Sequence, residues 1–239
     1  MYNLDLFLLI VSFFILYAFT RLFRTKRIYF VRHGETLLNA AHVRQDEHGG
    51  LSEKGKEQAR QTGERLASMH VEHMYVSPFE RTIETAAIIR NRIHVPFTYT
   101  PLLIERRNPS SIVGRQYDDP EVKKITDVID LGYHSAVLRI SDEENFLDMK
   151  IRAKKLLHYL FLRPHTSIVC VTHGIFLKMV LAYIHVGRTL DVPEYITLGV
   201  LNKVDNAGIT LVTYNPWRFL TGKSNWQILA FNDVSKINM

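Results

Sequence analysis

Two segments, IYFVRHGETLLNA at residues 28–40 and SIVCVTHG at residues 167–174, indicate the class of fold and contain candidate functional residues. Each begins with an apolar run, rich in β-branched and aromatic side chains, that is typical of a buried strand. Each run leads into a histidine followed by a glycine, His33-Gly34 and His173-Gly174. In an open α/β sheet, ligands bind outside the carboxyl ends of the strands. The pattern therefore predicts that both imidazoles face one pocket.

The remaining chain alternates short apolar runs with longer periodic segments. The runs predict strands, and the periodic segments predict helices. Strands are expected over residues 28–31, 74–76, 97–103, 167–172, 209–214 and 226–231, and helices over residues 52–69, 78–92, 145–162 and 174–185. This alternation indicates an α/β sandwich with a largely parallel sheet.

Residues 77–82, SPFERT, have the form of a helix start. Ser77 is the expected cap, Pro78 lies in the first turn, and Glu80 is placed to reach back as in a capping box. The sequence therefore predicts a helix whose first turn contains Arg81.

Composition limits the partners of this chain. Its 239 residues suffice for one sizeable domain with a full core. The net charge of +6 suits a phosphorylated substrate or an anionic membrane surface. No long basic run with interleaved aromatic residues is present in the sequence, so a nucleic-acid partner is not expected. The single cysteine, Cys170, rules out an internal disulfide.

The amino terminus differs in character from the rest. Residues 4–19 are apolar at all but two positions, and four basic residues follow between positions 21 and 27. A helix over residues 4–20 would measure roughly 25 Å, a little short of a hydrocarbon core of about 30 Å. Because the basic cluster follows the apolar run, the positive-inside rule predicts a single-pass anchor with the downstream domain in the cytoplasm. A cleaved signal peptide and a helix buried in a soluble core are the alternatives.

We therefore divide the chain into two parts. Residues 1–25 form the expected membrane anchor and its basic flank, and residues 26–239 form the globular domain. Within this domain, residues 106–144 are irregular and rich in turn-forming and charged residues, which predicts a cap-like surface insertion over the sheet.

His33 is the candidate nucleophile. A neutral imidazole can attack phosphorus near neutral pH, and the resulting phosphoramidate is labile enough to be hydrolysed. Arg32 precedes it, and Gly34 allows backbone amides to approach an oxyanion closely. A histidine that merely ends a strand is the alternative for a lone residue of this kind.

Arg81 and Glu105 extend the candidate set. Arg81 lies near a helix N-terminus, where free amides and the helix dipole favour an anion. Taken alone, it is more often a solvated helix-face arginine. Glu105 follows an extended apolar segment and can act as a general acid or base, the alternative being an ion pair with Arg106 or Arg107.

Four other residues have side chains that could bind a ligand. Thr36 and Asn39 follow His33 and are candidate donors to phosphate oxygens, although Thr36 is equally placed to cap a helix. His70 and His73 are close in sequence, but no third ligand accompanies them locally, so no metal site is predicted.

Taken in order, RHGETLLN, SPFERT, Glu105 and VTHG resemble the motifs of the histidine phosphatase superfamily, also called the phosphoglycerate-mutase-like family. The resemblance runs from about Arg27 to the end of the chain, including the segment LAFND at residues 229–233. It implies a three-layer α/β/α sandwich with a mostly parallel sheet. It also implies a phosphohistidine intermediate, with no metal or other cofactor.

The resemblance assigns roles residue by residue. It makes His33 the nucleophile and Glu105 the proton donor, with Arg32, Arg81 and His173 binding the phosphoryl group. The full set of expected substrate-binding residues is Arg32, Thr36, Asn39, Arg81, His173 and Gly174.

Two departures bear on the reaction. The glycolytic mutases of the family carry a Glu-Arg-His-Tyr-Gly-like stretch after the acid and usually a tryptophan in the first motif. This chain has ERRNPSS at residues 105–111 and Leu38 in the first motif. Both differences favour a hydrolase of phosphomonoesters, with a phosphorylated small molecule as the expected substrate. A mutase-type phosphotransferase and a non-catalytic module that binds phosphorylated ligands are the alternatives.

Overall fold

Six strands form one mixed sheet in the computed structural model, which describes residues 7–13, 24–132, 139, 141–201 and 203–235. The order across the sheet is β3-β2-β4-β1-β5-β6. The strands are β1 (Lys26–Arg32), β2 (His73–Val76), β3 (Phe97–Tyr99), β4 (Ser167–Thr172), β5 (Ile209–Tyr214) and β6 (Trp226–Asp233).

The sheet is parallel in one half and antiparallel in the other. Strands β1 to β4 run parallel to one another, whereas β5 is antiparallel to both β1 and β6. The connection between β5 and β6, residues 215–225, is too short for the helical crossover that parallel neighbours require. The expectation of a mostly parallel sheet is therefore correct for β1 to β4 and wrong for the β5–β6 edge.

Helices cover both faces of this sheet. They are α1 (Leu37–Ala40), α2 (Glu53–Ala67), α3 (Glu80–Ile93), α4 (Pro120–Gly132), α5 (Phe146–Phe161), α6 (Gly174–Val186) and α7 (Val192–Leu201). Helices α2 and α3 pack on one face, and α5, α6 and α7 pack on the other. Both faces of β1 are apolar and need cover. Ile28 and Phe30 point into the core beneath α5 and α6, whereas Tyr29 and Val31 point into the core beneath α2 and α3.

The predicted capping box at the start of α3 is wrong. The helix begins at Glu80, with Phe79 as its N-cap and no side-chain cap bond. Ser77 Oγ lies 2.8 Å from Nε2 of His173 instead, and the Glu80 carboxylate accepts a hydrogen bond from the Gly49 amide. Tertiary partners thus replace the local ones that the sequence suggested.

The segment predicted as irregular, residues 106–144, contains helix α4 and a 3₁₀ turn, Ser110–Ile112. Val122 and Ile129 of α4 are buried, and Ile129 belongs to the same core as α5 and α6. Apolar residues spaced along a charged segment produced this helix. Helix α7 was likewise not predicted.

The expected membrane anchor, residues 4–20, lies mostly outside the described residues, of which 7–13 are helical. Among the described helices, none has both the length and the apolar character to cross a membrane. Lys26, the first residue of the expected globular domain, begins β1. It is fully buried, donates hydrogen bonds to the carbonyls of Arg163 and His165, and has its pKa lowered to about 8 by burial.

Candidate active site

The two histidines lie side by side at one end of the sheet. His33 follows β1 and His173 follows β4, and these strands pair in parallel with Arg32 opposite Thr172. The ring centroids are 5.2 Å apart, and the two residues are 3% and 0% exposed. The structure therefore brings both predicted imidazoles together.

Hydrogen bonding orients the His33 ring. Its Nδ1 lies 2.8 Å from the carbonyl oxygen of Gly34, which can only accept a hydrogen bond. In the neutral ring, Nδ1 then carries the proton and Nε2 keeps its lone pair for attack. Gly34 itself approaches Gly55 so closely that an added Cβ would lie 2.5 Å from the Gly55 carbonyl oxygen. Only glycine allows this packing between the loop and α2.

Burial sets the charge of both rings. It lowers the pKa of His33 well below the ordinary value, and the nearby guanidiniums of Arg81 and Arg32 lower it further. The pKa of His173 is lowered by burial, by Arg81 and by His33. Both imidazoles are therefore neutral at pH 7 in the absence of an anion. An arriving phosphate would favour the protonated form of His173 by its negative charge.

Arg32 and Arg81 flank the histidines. Arg32 Nη1 donates to the carbonyl of Val204 at 2.7 Å, and Arg81 Nη1 donates to the carbonyl of Asp46 at 2.7 Å. Burial lowers the pKa of both guanidiniums, and the negative charge of Glu105 opposes that shift. Each guanidinium has five N–H donors, so further donors remain after the bond that fixes it.

Two buried nitrogens here have no hydrogen-bond partner among the described residues: Nδ1 of His173 and Nε of Arg32. Buried polar groups are ordinarily satisfied. Gly174 makes room beside Arg32, because an added Cβ would lie 3.2 Å from Arg32 Nε. The oxygens of an anion would satisfy such nitrogens, and two neighbouring guanidiniums favour its charge.

Glu105 lies at the N-terminus of α6. Its carboxylate accepts hydrogen bonds from the amides of Phe176 at 2.9 Å, Ile175 at 3.2 Å and Arg106 at 2.9 Å. These bonds place the carboxylate next to the helix turn that begins at His173.

Thr36 and Asn39 contribute mainly to the local fold. Thr36 is buried and caps α1, with Oγ1 accepting a hydrogen bond from the Asn39 amide at 3.0 Å. The Asn39 Oδ1 atom is buried without a hydrogen-bond partner in the described part of the chain. The structure thus shows the capping geometry for Thr36, and its role towards a ligand stays a prediction.

A buried ion pair that no sequence motif marks holds the segment bearing Glu105. Arg152 of α5 binds Glu144 through two bonds, of 2.7 Å and 2.6 Å, and also donates to the carbonyl of Ile104 at 2.7 Å. Its guanidinium lies 3.8 Å from the centre of the Phe176 ring. The available signal was an arginine on the apolar stripe of α5.

Other partners of the site were also missed. Ser77 contacts His173, Thr85 accepts a hydrogen bond from the Gly34 amide at 3.0 Å, and Asn206 donates to the His33 carbonyl at 3.0 Å. Thr85 and Asn206 come from distant parts of the sequence, and no motif marks them.

His70 and His73 lie away from this site. His73 belongs to β2 and stacks on His165, with ring centroids 4.4 Å apart. Within the described ranges, no three His, Cys, Asp or Glu side chains are arranged to hold a metal ion.

A cavity of about 660 Å³ opens beside Phe79 and Glu105. Part of its wall comes from residues 106–113 and Asp142, which belong to the predicted insertion, and part comes from residues 45–47. The Phe79 ring also packs against His173, with centroids 5.1 Å apart. The cavity is therefore placed to receive the non-phosphoryl part of a ligand.

Comparison with known proteins agrees with this geometry. The sequence model of the histidine phosphatase superfamily (branch 1) matches residues 28–227. A protein of Erwinia tasmaniensis named probable phosphoglycerate mutase GpmB is 28% identical over 222 residues, which are 88% of this chain and 94% of that protein.

Solved structures share the fold. A putative alpha-ribazole-5'-P phosphatase from Escherichia coli superposes with a TM-score of 0.71 at 17% identity, covering 88% of this chain and 98% of that one. A mycobacterial glucosyl-3-phosphoglycerate phosphatase gives 0.69 at 20% identity, covering 87% and 99%. The chain belongs to the histidine phosphatase superfamily, branch 1, and is an enzyme of the phosphatase type.

Proposed function

We propose that this enzyme hydrolyses phosphomonoesters through a phosphohistidine intermediate on His33. The observation that carries the proposal is the pair of buried histidines flanked by Arg32 and Arg81, with the buried His173 Nδ1 unsatisfied among the described residues. The cavity beside Glu105 supports a phosphorylated small molecule as substrate, because its volume is in the range typical of small-ligand sites.

The first half-reaction transfers the phosphoryl group. Arg32, Arg81 and His173 bind its oxygens, and His33 Nε2 attacks phosphorus. The P–N bond forms as the P–O bond to the leaving group breaks, and protonated Glu105 donates a proton to the departing alkoxide. The guanidiniums and the His173 ring stabilise the charge on the transferring group, so the proposal requires no metal.

The second half-reaction restores the enzyme. The Glu105 carboxylate takes a proton from water as the water oxygen attacks phosphorus. The P–N bond breaks, phosphate leaves, and Glu105 is again protonated with His33 neutral.

The direct test is phosphate release from a generic phosphomonoester, together with acid-labile phosphate on the protein. We expect both in the wild type and neither in His33→Ala. His185→Ala, at an exposed histidine of α6, is the control and should behave as the wild type. Unchanged turnover in His33→Ala would refute the intermediate. No turnover in the wild type would favour a module that only binds phosphorylated ligands.

A mutase is the second candidate, since the curated relatives are named probable phosphoglycerate mutases. Hydrolase and mutase differ in the acceptor of the phosphoryl group: water in one case, a phosphoglycerate hydroxyl in the other. With labelled phosphomonoester and unlabelled phosphoglycerate, we expect the label in inorganic phosphate. Label in the phosphoglycerate would identify the mutase instead.

We further propose that residues 4–20 anchor the enzyme in a membrane with the domain in the cytoplasm. The apolar run and the basic residues after it, Arg21 and Arg24 among them, support this orientation. The full chain should resist alkaline extraction from membranes, and its domain should be cleaved by protease added from the cytoplasmic side only. Release by alkali, or a protected domain, would overturn the proposal.

A further inference from the structure

The end of the sheet opposite the candidate active site carries an exposed apolar turn. Residues 216–221 form a 3₁₀ helix between β5 and β6. Trp217, Phe219 and Leu220 in this turn are 50%, 57% and 70% exposed. Neighbouring large apolar side chains at this level of exposure are typical of a surface that contacts a membrane or a partner.

The strand register gives the position of this turn relative to the start of β1 and to the candidate nucleophile, His33. Lys26 at the start of β1 pairs with Tyr214 at the end of β5, which pairs with Trp226 at the start of β6. His33 follows the other end of β1, seven residues along. At about 3.3 Å per residue, the turn and the nucleophile lie on the order of 20 Å apart along the strand direction.

The same end of the sheet is where the amino-terminal segment joins the domain. Five residues lie between Thr20 and Lys26, and the six steps of an extended chain span at most about 20 Å. If residues 4–20 lie in the bilayer, as proposed above, the start of β1 is held near its surface. The turn over residues 216–221 begins two residues after the strand partner of Lys26, so it faces the same surface.

A basic recess adjoins the turn. Its volume is about 310 Å³, and Lys154, His158 and Arg188 line it together with the aromatic rings of Tyr214 and Trp226. None of the described residues that line it is acidic. All three basic residues are exposed.

The turn itself carries positive charge as well. Arg218 lies within it, and Lys223 follows it as an exposed residue. Arg218 also braces the turn, since it donates to the Ser224 carbonyl at 2.9 Å and to Gln227 Oε1 at 2.7 Å. Exposed apolar side chains next to exposed basic ones are typical of a surface that binds an anionic bilayer. Aromatic rings lie at the level of the lipid headgroups, and basic side chains bind the headgroup phosphates.

We propose that this end of the domain is a membrane-contact surface, formed by the 216–223 turn and the recess of Lys154, His158 and Arg188. Trp217, Phe219 and Leu220 enter the headgroup layer, and the recess binds the phosphates of anionic lipids. The proposal rests on the anchor proposed above. It orients the candidate active site away from the bilayer, so that a water-soluble substrate reaches it from the cytoplasm.

The test uses the two tryptophans of the chain, Trp217 and Trp226. Trp226→Phe leaves Trp217 as the reporter, and Trp217→Phe leaves Trp226, which is partly buried against Tyr214 with ring centroids 4.9 Å apart. Each full-length variant is reconstituted into phosphatidylcholine vesicles that contain phosphatidylglycerol, with or without bromine on the acyl chains. We expect severalfold stronger bromine quenching of Trp217 than of Trp226, and blue-shifted Trp217 emission.

Replacing the basic residues tests the recess. The Lys154→Ser/Arg188→Ser double variant, in the Trp226→Phe background, should show weaker Trp217 quenching in anionic vesicles and little change in vesicles of phosphatidylcholine alone. An equal loss of Trp217 quenching in both vesicle types would refute the binding of anionic headgroups by the recess.

Flotation separates failure of this proposal from failure of the anchor. If the protein floats with the vesicles but Trp217 is no more quenched than Trp226, the contact surface is refuted and the anchor stands. If the protein does not float with the vesicles, both proposals are refuted. Concentration-dependent self-association that removes Trp217 from water without bromine quenching would assign the surface to a second copy of the chain and refute the membrane contact.

Discussion

The hydroxyl of Ser77 lies 2.8 Å from Nε2 of His173, and both side chains are buried. This contact joins the end of β2 to the end of β4 and fixes the ring plane of His173. Ser77 is thereby a positioning residue for a group expected to bind the phosphoryl oxygens. Its motif had suggested a helix cap, which the structure does not show.

Ser77→Ala should lower kcat about tenfold, because the His173 ring loses the hydrogen bond that holds its orientation. Because the hydroxyl does not contact the leaving group, all phosphomonoesters should slow to a similar degree. Steady-state kinetics on two unrelated substrates checks this. Ser68→Ala, at an exposed serine after α2, should leave kcat unchanged. An unaltered kcat in Ser77→Ala would show that the contact has no positioning role.

Arg32→Ala and Arg81→Ala should each lower kcat/KM by about a hundredfold or more, because each removes an aligned charge from the transferring group. Arg60→Ala, at an exposed arginine of α2, is a suitable control with near-normal kinetics expected. If either site variant retains near-normal kcat/KM, that arginine does not bind the phosphoryl group.

The Glu105→Gln variant distinguishes proton donation by Glu105 from its hydrogen bonds with the α6 amides. The amide keeps one acceptor oxygen for the α6 amides but cannot donate a carboxyl proton. Alkyl phosphates need that proton and should slow much more than aryl phosphates, whose leaving groups depart as stable anions. Rates for a matched series of leaving groups provide the measurement. Equal slowing across the series would show that Glu105 acts only by accepting hydrogen bonds from the α6 amides.

The buried pair of Arg152 and Glu144 should matter for stability. Glu144→Ala leaves the Arg152 guanidinium buried without its counter-ion, which should cost about 3 kcal/mol of unfolding free energy. Urea denaturation measures this cost. Arg139→Ala breaks an exposed pair with Asp148 and should cost less than about 1 kcal/mol. Similar losses in the two variants would contradict the buried-pair interpretation.

Stability should fall in mild acid. Burial holds the pKa of His33 and His173 below the unfolded value of about 6.5, so the unfolded chain binds more protons below that pH. The stabilisation is complete above about pH 6.5 and is lost as the pH falls, by at most about 1.4 kcal/mol per pH unit for each histidine. His33→Asn should flatten this dependence in urea denaturation measured across pH. A slope equal to that of the wild type would show that His33 titrates normally.

Much of this protein was readable from the sequence, because the relevant signals are local. Apolar runs predicted β1 and β4, helical periodicity predicted α5, and short motifs singled out His33, Arg81 and His173. Such patterns depend on neighbours only a few residues away. The recess and the buried pair were not predicted, because they depend on residues that are far apart in the chain.

The hydrogen-bond partners of several buried groups lie far away in the chain and are known only from the tertiary structure. Lys26 is a charged residue at the start of a strand, and carbonyls some 140 positions away accept hydrogen bonds from its ammonium group inside the fold. Ser77 reads as a cap, yet its hydroxyl contacts a histidine 96 positions away. From the sequence alone came the family, the positions of most strands and of helices α2, α3, α5 and α6, and the residue types at the site. The structure decided their partners and the orientation of β5 and β6, because burial and close packing depend on which surfaces meet in space.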